Sequence, residues 1–378
     1  MRKGGFFGGL VVLLGALCLL SAPGWAAVSC TCSNPGDLQK CINQNFGKIW
    51  TTFTVTGPAT CYENLTIVQD GTQLVADTAK GSVTISAQNS NQPVISVVST
   101  GWAGINGFTI EGGAYGIDLD LGHGYIINNT IKNNSLAGIH VGGAYAFIGA
   151  QSPTDAAPLP NTITGNPIGI LVTAHSGASI VGNTIKSGSV AGIVLDSLSQ
   201  ADIAGNTIDS FVNAISLSEN SVIRLSDRPW LPIFGPLNTT DADAKNSGAA
   251  ILCASGGVVS GYEGGLLGAT AYSGDATCIN NLMTNSSPLV GNWNVTSHSN
   301  NMKSPPTQVD FYAVGTGWDN SGGSVWRWTA TPTTLTIKSS KHTMQGSLTW
   351  TGNNKVKWVF TGGSFTSGTS GWMVFERE

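Results

Sequence analysis

The sequence predicts an all-β chain: a solenoid of stacked parallel coils, an N-terminal helical cap and a small C-terminal antiparallel β domain. Three observations predict it. A unit of about 22 residues keeps returning, the mark of a solenoid. Its copies carry Thr109-Ile110, Thr130-Ile131, Thr162-Ile163, Thr184-Ile185 and Thr207-Ile208, with gaps of 21, 32, 22 and 23 residues between the isoleucines. A small residue and a second isoleucine follow each copy, at Gly116-Ile117, Gly138-Ile139, Gly169-Ile170, Gly192-Ile193 and Ala214-Ile215. Finally, 50 glycines against only 10% charged residues suit tight turns and β-strands, not helical bundles.

Residues 1–26 read as a secretory signal: Arg2 and Lys3, then an apolar run, then the small-x-small site Gly24-Trp25-Ala26. The apolar run is shorter than the ~20 residues a membrane span needs, and no other stretch is a candidate. Losing Arg2 and Lys3 takes the formal charge from −4 to −4 − 2 = −6, which gives a nucleic acid nothing to bind. Export predicts disulfides for the six cysteines left, Cys30, Cys32, Cys41, Cys61, Cys253 and Cys278. Cys253 is expected to pair with Cys278 and the other four among themselves. A metal on Cys30-x-Cys32 is the alternative.

Residues 27–48 read as the cap. Ser33 to Asp37 supply helix-start residues, and Leu38, Cys41, Ile42 and Phe46 fall at helical spacing. Such a helix would cover an apolar coil end and its free strand edges. The solenoid is expected over 49–226. Leu65-Thr66-Ile67 and Val83-Thr84-Ile85 read as loose copies of the Thr-Ile signature, and Val94-Ile95-Ser96-Val97 as a second strand. Stacking puts equivalent residues ~4.8 Å apart, so the isoleucines form apolar ladders. Asn129, Asn161, Asn183 and Asn206, each just before a Thr-Ile pair, are expected at a turn. There an Asn tolerates a left-handed backbone and can bond its equivalent in the next coil.

The 32-residue gap holds about ten extra residues, expected within Gly142–Pro160 together with Tyr145, Phe147 and Asp155. Loops leaving a solenoid often shape its binding groove. Residues 227–306 read as an irregular Gly/Pro/Asn-rich region with a disulfide loop. Residues 307–378 read as a Trp-rich β domain, with a hairpin turn at Thr351-Gly352-Asn353-Asn354. Its tryptophans read as core, or else as a platform for sugar rings.

The repeat units, such as Asn183-Thr184-Ile185 with Gly192-Ile193, resemble the right-handed parallel β-helix repeat of the pectin-lyase-like superfamily. The resemblance covers roughly residues 50 to 226 and implies right-handed coils. That superfamily includes polysaccharide lyases, glycoside hydrolases, carbohydrate epimerases and esterases, tailspikes and adhesins, so fold alone does not choose an activity. Gly122-His123-Gly124 is similar to a polygalacturonase motif, but the accompanying Asn-Thr-Asp, Asp-Asp and Arg-Ile-Lys are absent, as is the Asp-Pro-His-Asp of alginate epimerases.

Residues beside the ladder isoleucines point outward. One outer column reads Asp118, His140, Leu171, Val194 and Ser216, and the next Asp120, Gly142, Thr173, Asp196 and Ser218. Asp118 and Asp120 are therefore the candidate acid pair, with His140 assisting. Tyr145, Asp196 and His175 are candidate substrate contacts. The carboxylates could equally hold Ca²⁺, though the column is sparse in acids, and no cofactor or metal is expected. A third column, Glu111, Lys132, Thr164, Lys186 and Asp209, alternates in sign and predicts ion pairs. The expectation is a secreted protein that binds a polysaccharide along its outer groove and, if it is an enzyme, cleaves it as a polysaccharide lyase or glycoside hydrolase. The alternative is a non-catalytic surface or matrix protein, or an adhesin, on a rigid scaffold.

Overall fold

The computed structural model describes residues 26–48, 50–98, 100–152, 155, 157–226, 238–241, 245–262, 265–283 and 291–299, then 308–311, 316–319, 325–330, 334–338, 343–351, 355–361 and 370–377. The leader expectation for residues 1–26 lies outside them except for Ala26, which opens the strand Ala26–Cys30. One coil illustrates the plan. Strand Tyr115–Asp120 enters sheet I, His123–Ile127 enters sheet II, and Thr130–Lys132 enters sheet III. Sheet I has nine strands, from Leu65–Ile67 to Thr270–Gly274. Sheet II has eleven, from Ala26–Cys30 to Ile279–Met283, and sheet III seven, from Ala59–Tyr62 to Thr207–Asp209.

The isoleucine ladders stand in register. Ile110, Ile131, Ile163, Ile185 and Ile208 are successive partners in sheet III. Ile95, Ile117, Ile139, Ile170, Ile193, Ile215 and Ile251 are successive partners in sheet I. A third ladder, not read from the sequence, runs through Ile105, Ile126, Ile148, Ile180 and Ile203 in sheet II. All are fully buried or nearly so. Each such side chain is worth ~1.5–3 kcal/mol on burial. The small residue before each second isoleucine makes room for the first ladder. A Cβ on Gly169 or Gly192 would come within 2.4 or 2.2 Å of Cγ2 of Ile185 or Ile208.

The aligned asparagines satisfy the buried turn between sheets II and III. The Oδ1 of Asn161 accepts from the backbone N–H (3.0 Å) and the Nδ2 (3.2 Å) of Asn129. Asn183 serves Asn161 in the same way, Asn206 serves Asn183, and Asn238 serves Asn206. The left-handed residue is not the ladder Asn, as expected, but its predecessor: Asn128, Gly182 and Gly205 have φ of 56°, 71° and 65°. The ladder Asn is then free to turn its amide inward along the stack. Two shorter ladders close the other corners. Asn134 and Asn166 bond through Nδ2 and Oδ1 at 3.0 Å, and the hydroxyls of Ser176, Ser199 and Ser221 accept from backbone N–H groups one coil before.

Helix Asp37–Gln44 caps the first coil and buries Leu38 and Ile42. It ends before Phe46, which is 67% exposed and no part of the buried face. Glu63 accepts from the N–H groups of Leu38 (3.2 Å) and Gln39 (2.8 Å), satisfying the start of the helix. Burial pushes the Glu63 carboxyl up, against the pull of those two N–H groups. Gln39 covers the open edge of sheet I, its side chain accepting from Thr66 N–H and donating to Thr66 C=O. Disulfides Cys30–Cys41 and Cys32–Cys61 fasten the cap, and Cys253–Cys278 staples the far end. The paired sulfurs overturn the metal alternative for Cys30-x-Cys32.

Leu65–Ile67 pairs with Ile95–Val97 and so belongs to sheet I, not to the Thr-Ile sheet; Val83–Ser86 does join sheet III. The stack also runs past residue 226. Ala249–Cys253 and Thr270–Gly274 extend sheet I, while Val258–Tyr262 and Ile279–Met283 extend sheet II. Among the described residues these coils continue sheet III through single bridges at Thr239 and Gly265, in place of a Thr-Ile strand. A closed eight-stranded antiparallel barrel begins at Gly291, ahead of the change of texture at 307. Trp293 and Trp358 are buried in it, as core tryptophans should be. The side chains of Trp318, Trp326 and Trp328 lie outside the described residues.

Cutting the Asn ladder should cost far more than cutting a surface pair. Asn183→Ala leaves the buried N–H of Asn161 without its acceptor and should lower unfolding free energy by about 1–3 kcal/mol. Lys132→Ala, which removes the half-exposed 3.1 Å pair with Glu111, should cost less than about 1 kcal/mol. Urea unfolding midpoints of the two variants check the difference.

Candidate functional site

The outer face of sheet I brings three of the expected residues together. Asp118 and His140 are direct partners across neighbouring coils, and Asp120 is the partner of Gly142. The Nδ1 of His140 meets Asp118 Oδ1 at 2.7 Å, and its Nε2 meets Thr173 Oγ1 at 2.8 Å. Tyr115 stacks on the imidazole with centroids 4.9 Å apart. The bare Gly142 gives the ring its place, since a Cβ there would lie 3.1 Å from His140 Cε1. The His140 and Asp118 side chains are 19% and 21% exposed, while Asp120 is open to solvent. Asp118 is thus committed to orienting His140 and does not form a free acid pair with Asp120. Neutral His140 in this setting carries its proton on Nδ1, toward the carboxylate, with Nε2 accepting from the Thr173 hydroxyl. Burial, and secondarily Asp118, pushes the Tyr115 phenol up.

Asp196 follows the partner of Val172, one coil beyond Thr173. Its Oδ1 accepts from Ser197 N–H and Ser218 Oγ, so it is tied into its own turn. His175 is exposed in the turn after Thr173, with φ of 62°. Tyr145 is not on this face. It lies in the regular strand Tyr145–Ile148 of sheet II, as does Phe147, because Ala146 and Ile148 alternate inward there. The extra residues of the long coil follow that strand and leave at the corner between sheets II and III. Leu159 N–H returns to Gly149 C=O at 2.7 Å, and the Asp155 carboxylate accepts from Gln151 and Ser152 N–H. The described residues of that loop are thus tied to the corner after sheet II, not to the face that carries Asp118.

Sheet II has a face of its own, which the sequence reading missed. Gly104, Tyr125, Phe147, Ser179, Asp202 and Arg224 are successive partners on its outside. Trp102 lies 6.1 Å, centroid to centroid, from both Tyr125 and Phe147, and Tyr145 lies 5.2 Å from Phe147. Arg224 holds Asp202 through Nε (2.7 Å) and Nη2 (3.0 Å). Burial pushes the Asp202 carboxyl up, opposed by Arg224. The recurrence of single residues about one coil apart, stretched across the long coil between Phe147 and Ser179, was the available signal, but it becomes visible only once the register of sheet II is known.

Among the described residues, Cys32, Cys61 and Glu63 are the group close enough to share a metal ion. Their donors are already spent, the sulfurs on each other and the carboxylate on the cap helix.

Two measurements check this geometry. Nitrogen-15 shifts of His140 should report the Nδ1-protonated tautomer, and Asp118→Ala should erase that preference. Burial pushes the Tyr125 phenol up to about 12. Because the folded value is raised, the stability linked to this group is full below the ordinary tyrosine range, ~10, and is lost as pH rises through about 12. A phenolate absorbance titration should show this late step, and Tyr125→Phe should remove it.

Residues 93–228 match the family model described as a right handed beta helix region. No curated protein matches the sequence. Among solved structures, the chain is similar to an alginate lyase from Paenibacillus sp. str. FPU-7, at 13% identity and a TM-score of 0.42, covering 68% of this chain and 99% of that one. It is also similar to ORF18 of Geobacillus virus E2, at 9% identity and a TM-score of 0.33, covering 92% of this chain and 75% of that one. Neither likeness is strong enough to speak to chemistry. The family match over residues 93–228, together with three sheets stacked in register from coil to coil, shows that the chain folds there as a right-handed parallel β-helix.

Proposed function

We propose that the protein is exported and binds a polysaccharide along the outside of its coils, with sheet I as the reacting face. One observation carries this reading: the Asp118–His140–Thr173 row beside the open carboxylate of Asp120. Three disulfides fit the oxidising compartment that export would provide. Asp118 is a positioning residue that fixes the imidazole. Protonated His140 gives its Nε2 proton to a glycosidic oxygen that replaces the Thr173 hydroxyl as acceptor. Asp120 takes a proton from the water that attacks the anomeric carbon as the C–O bond breaks. Asp120 lies two residues along the strand from Asp118, about 6.6 Å, so a sugar ring can reach both Asp120 and the imidazole. His175 and Asp196, in the turns that border this face, are the proposed flanking contacts.

A second reading is a non-catalytic glycan-binding scaffold. It is favoured by the rest of the column, where Leu171, Val194 and Ser216 continue from His140 and carry no titratable group.

Incubating the mature protein with a panel of neutral and acidic polysaccharides separates the two. Reducing ends should appear with at least one polymer, and His140→Ala and Asp120→Asn should each lower that rate by about 10²-fold or more. Unsaturated products would replace hydrolysis with elimination. Binding without product would favour the scaffold, and no binding to any polymer would sink both readings.

A further inference from the structure

A shallow, open depression of about 130 Å³ lies on the outside of sheet II, lined by Tyr145, Gln200, Asp202, Val222 and Arg224 among others. It stands around the corner from the His140 row, since Tyr145 follows Gly142 by three residues in the same coil. Its floor is built for a flat ring. The Tyr145 side chain lies across Gly177 of the next coil, where a Cβ would come within 2.6 Å of Cδ2 and 2.9 Å of Cε2. Its hydroxyl meets Ser179 Oγ at 2.9 Å, which fixes the ring along the stack. Phe147 supports it edge-on from the side. The far wall is the Arg224–Asp202 fork, with the Arg224 side chain 44% exposed. A guanidinium has five N–H donors; Asp202 accepts from Nε and Nη2, and the same side chain lines the depression with donors to spare.

We propose that this depression is a carbohydrate subsite separate from the reacting face, taking one neutral pyranose. The C–H face of the sugar stacks on Tyr145. Neighbouring hydroxyls accept from Arg224 and exchange hydrogen bonds with Gln200. A neutral sugar fits better than a uronate, because Asp202 already neutralises the guanidinium and a second carboxylate would bring an uncompensated negative charge beside it. The assignment rests on the polysaccharide reading for its biological ligand, but the site can be probed without a polymer.

The test is a titration of the full mature protein with neutral methyl pyranosides and with a methyl uronate, following the Arg224 Nε–H signal and the backbone signals of Ser179, Gln200 and Asp202. At least one neutral pyranoside should shift them, and the shift should persist at high salt. Tyr145→Ala should weaken binding about tenfold or more, the equivalent of about 1.4 kcal/mol. Tyr145→Phe should keep most of the affinity, since it keeps the ring, and so controls for folding. His140→Ala should leave it unchanged. No shift with any neutral pyranoside overturns the proposal, as does equal binding by Tyr145→Ala or preference for the uronate. Polymer cleavage or binding that survives Tyr145→Ala would then leave the sheet I reading standing alone.

Discussion

The structure depends on satisfying backbone N–H groups that a flattened coil buries at its corners. A strand ends in each sheet, the chain bends sharply, and the amide just past the bend can reach neither water nor a ladder partner. An Asn one coil further on supplies the acceptor, and its own amide hydrogens go to the next Asn and to carbonyls inside the turn. This chain of bonds works only if every coil presents the same corner at the same height. The ladder therefore sets the register, and the register sets everything else: isoleucine over isoleucine inside, and fixed columns of side chains outside.

Fixed columns explain how a scaffold with few charges assembles local chemistry. Asp118, His140 and Thr173 come from three successive coils, yet each lies within hydrogen-bonding distance of its neighbour in the row. The strands need no special geometry for this; the stacking distance does the work. The same rule builds the Asp202–Arg224 fork and the Lys132–Glu111 pair. At three outer positions, Gly142, Gly104 and Gly177, an aromatic or imidazole ring from a neighbouring position lies over the glycine. Glycine here acts through its missing side chain, which opens a flat seat on the sheet.

The ends of a stack are its weak points, and the two are closed differently. At the N-terminal end a short helix, two disulfides and the Gln39 amide cover the apolar cross-section and the edge of sheet I. At the C-terminal end sheet III stops first, and the last two coils run on with two sheets and one disulfide. The step from Ile215 to its partner Ile251 is longer than the usual period, and the described third-sheet contacts beyond Asp209 are single bridges, so the Thr-Ile signature is lost there although strands of sheets I and II still pair.

The sequence by itself determined the solenoid, its two isoleucine ladders, the Asn ladder and the first outer column, because these follow from a period and from alternation, which are one-dimensional facts. It also separated the C-terminal β domain by its change of texture. Tertiary structure decided what those columns do. Whether Asp118 faces Asp120 or His140 depends on rotamers and on the bare Gly142 beside them. Whether Tyr145 belongs to an insertion or to a strand depends on where the extra residues loop out. The sheet II face, with Trp102, Tyr125, Phe147, Asp202 and Arg224, shares no motif along the chain and exists only through pairing across coils. Proximity between coils is a property of the stack, and no single coil contains it.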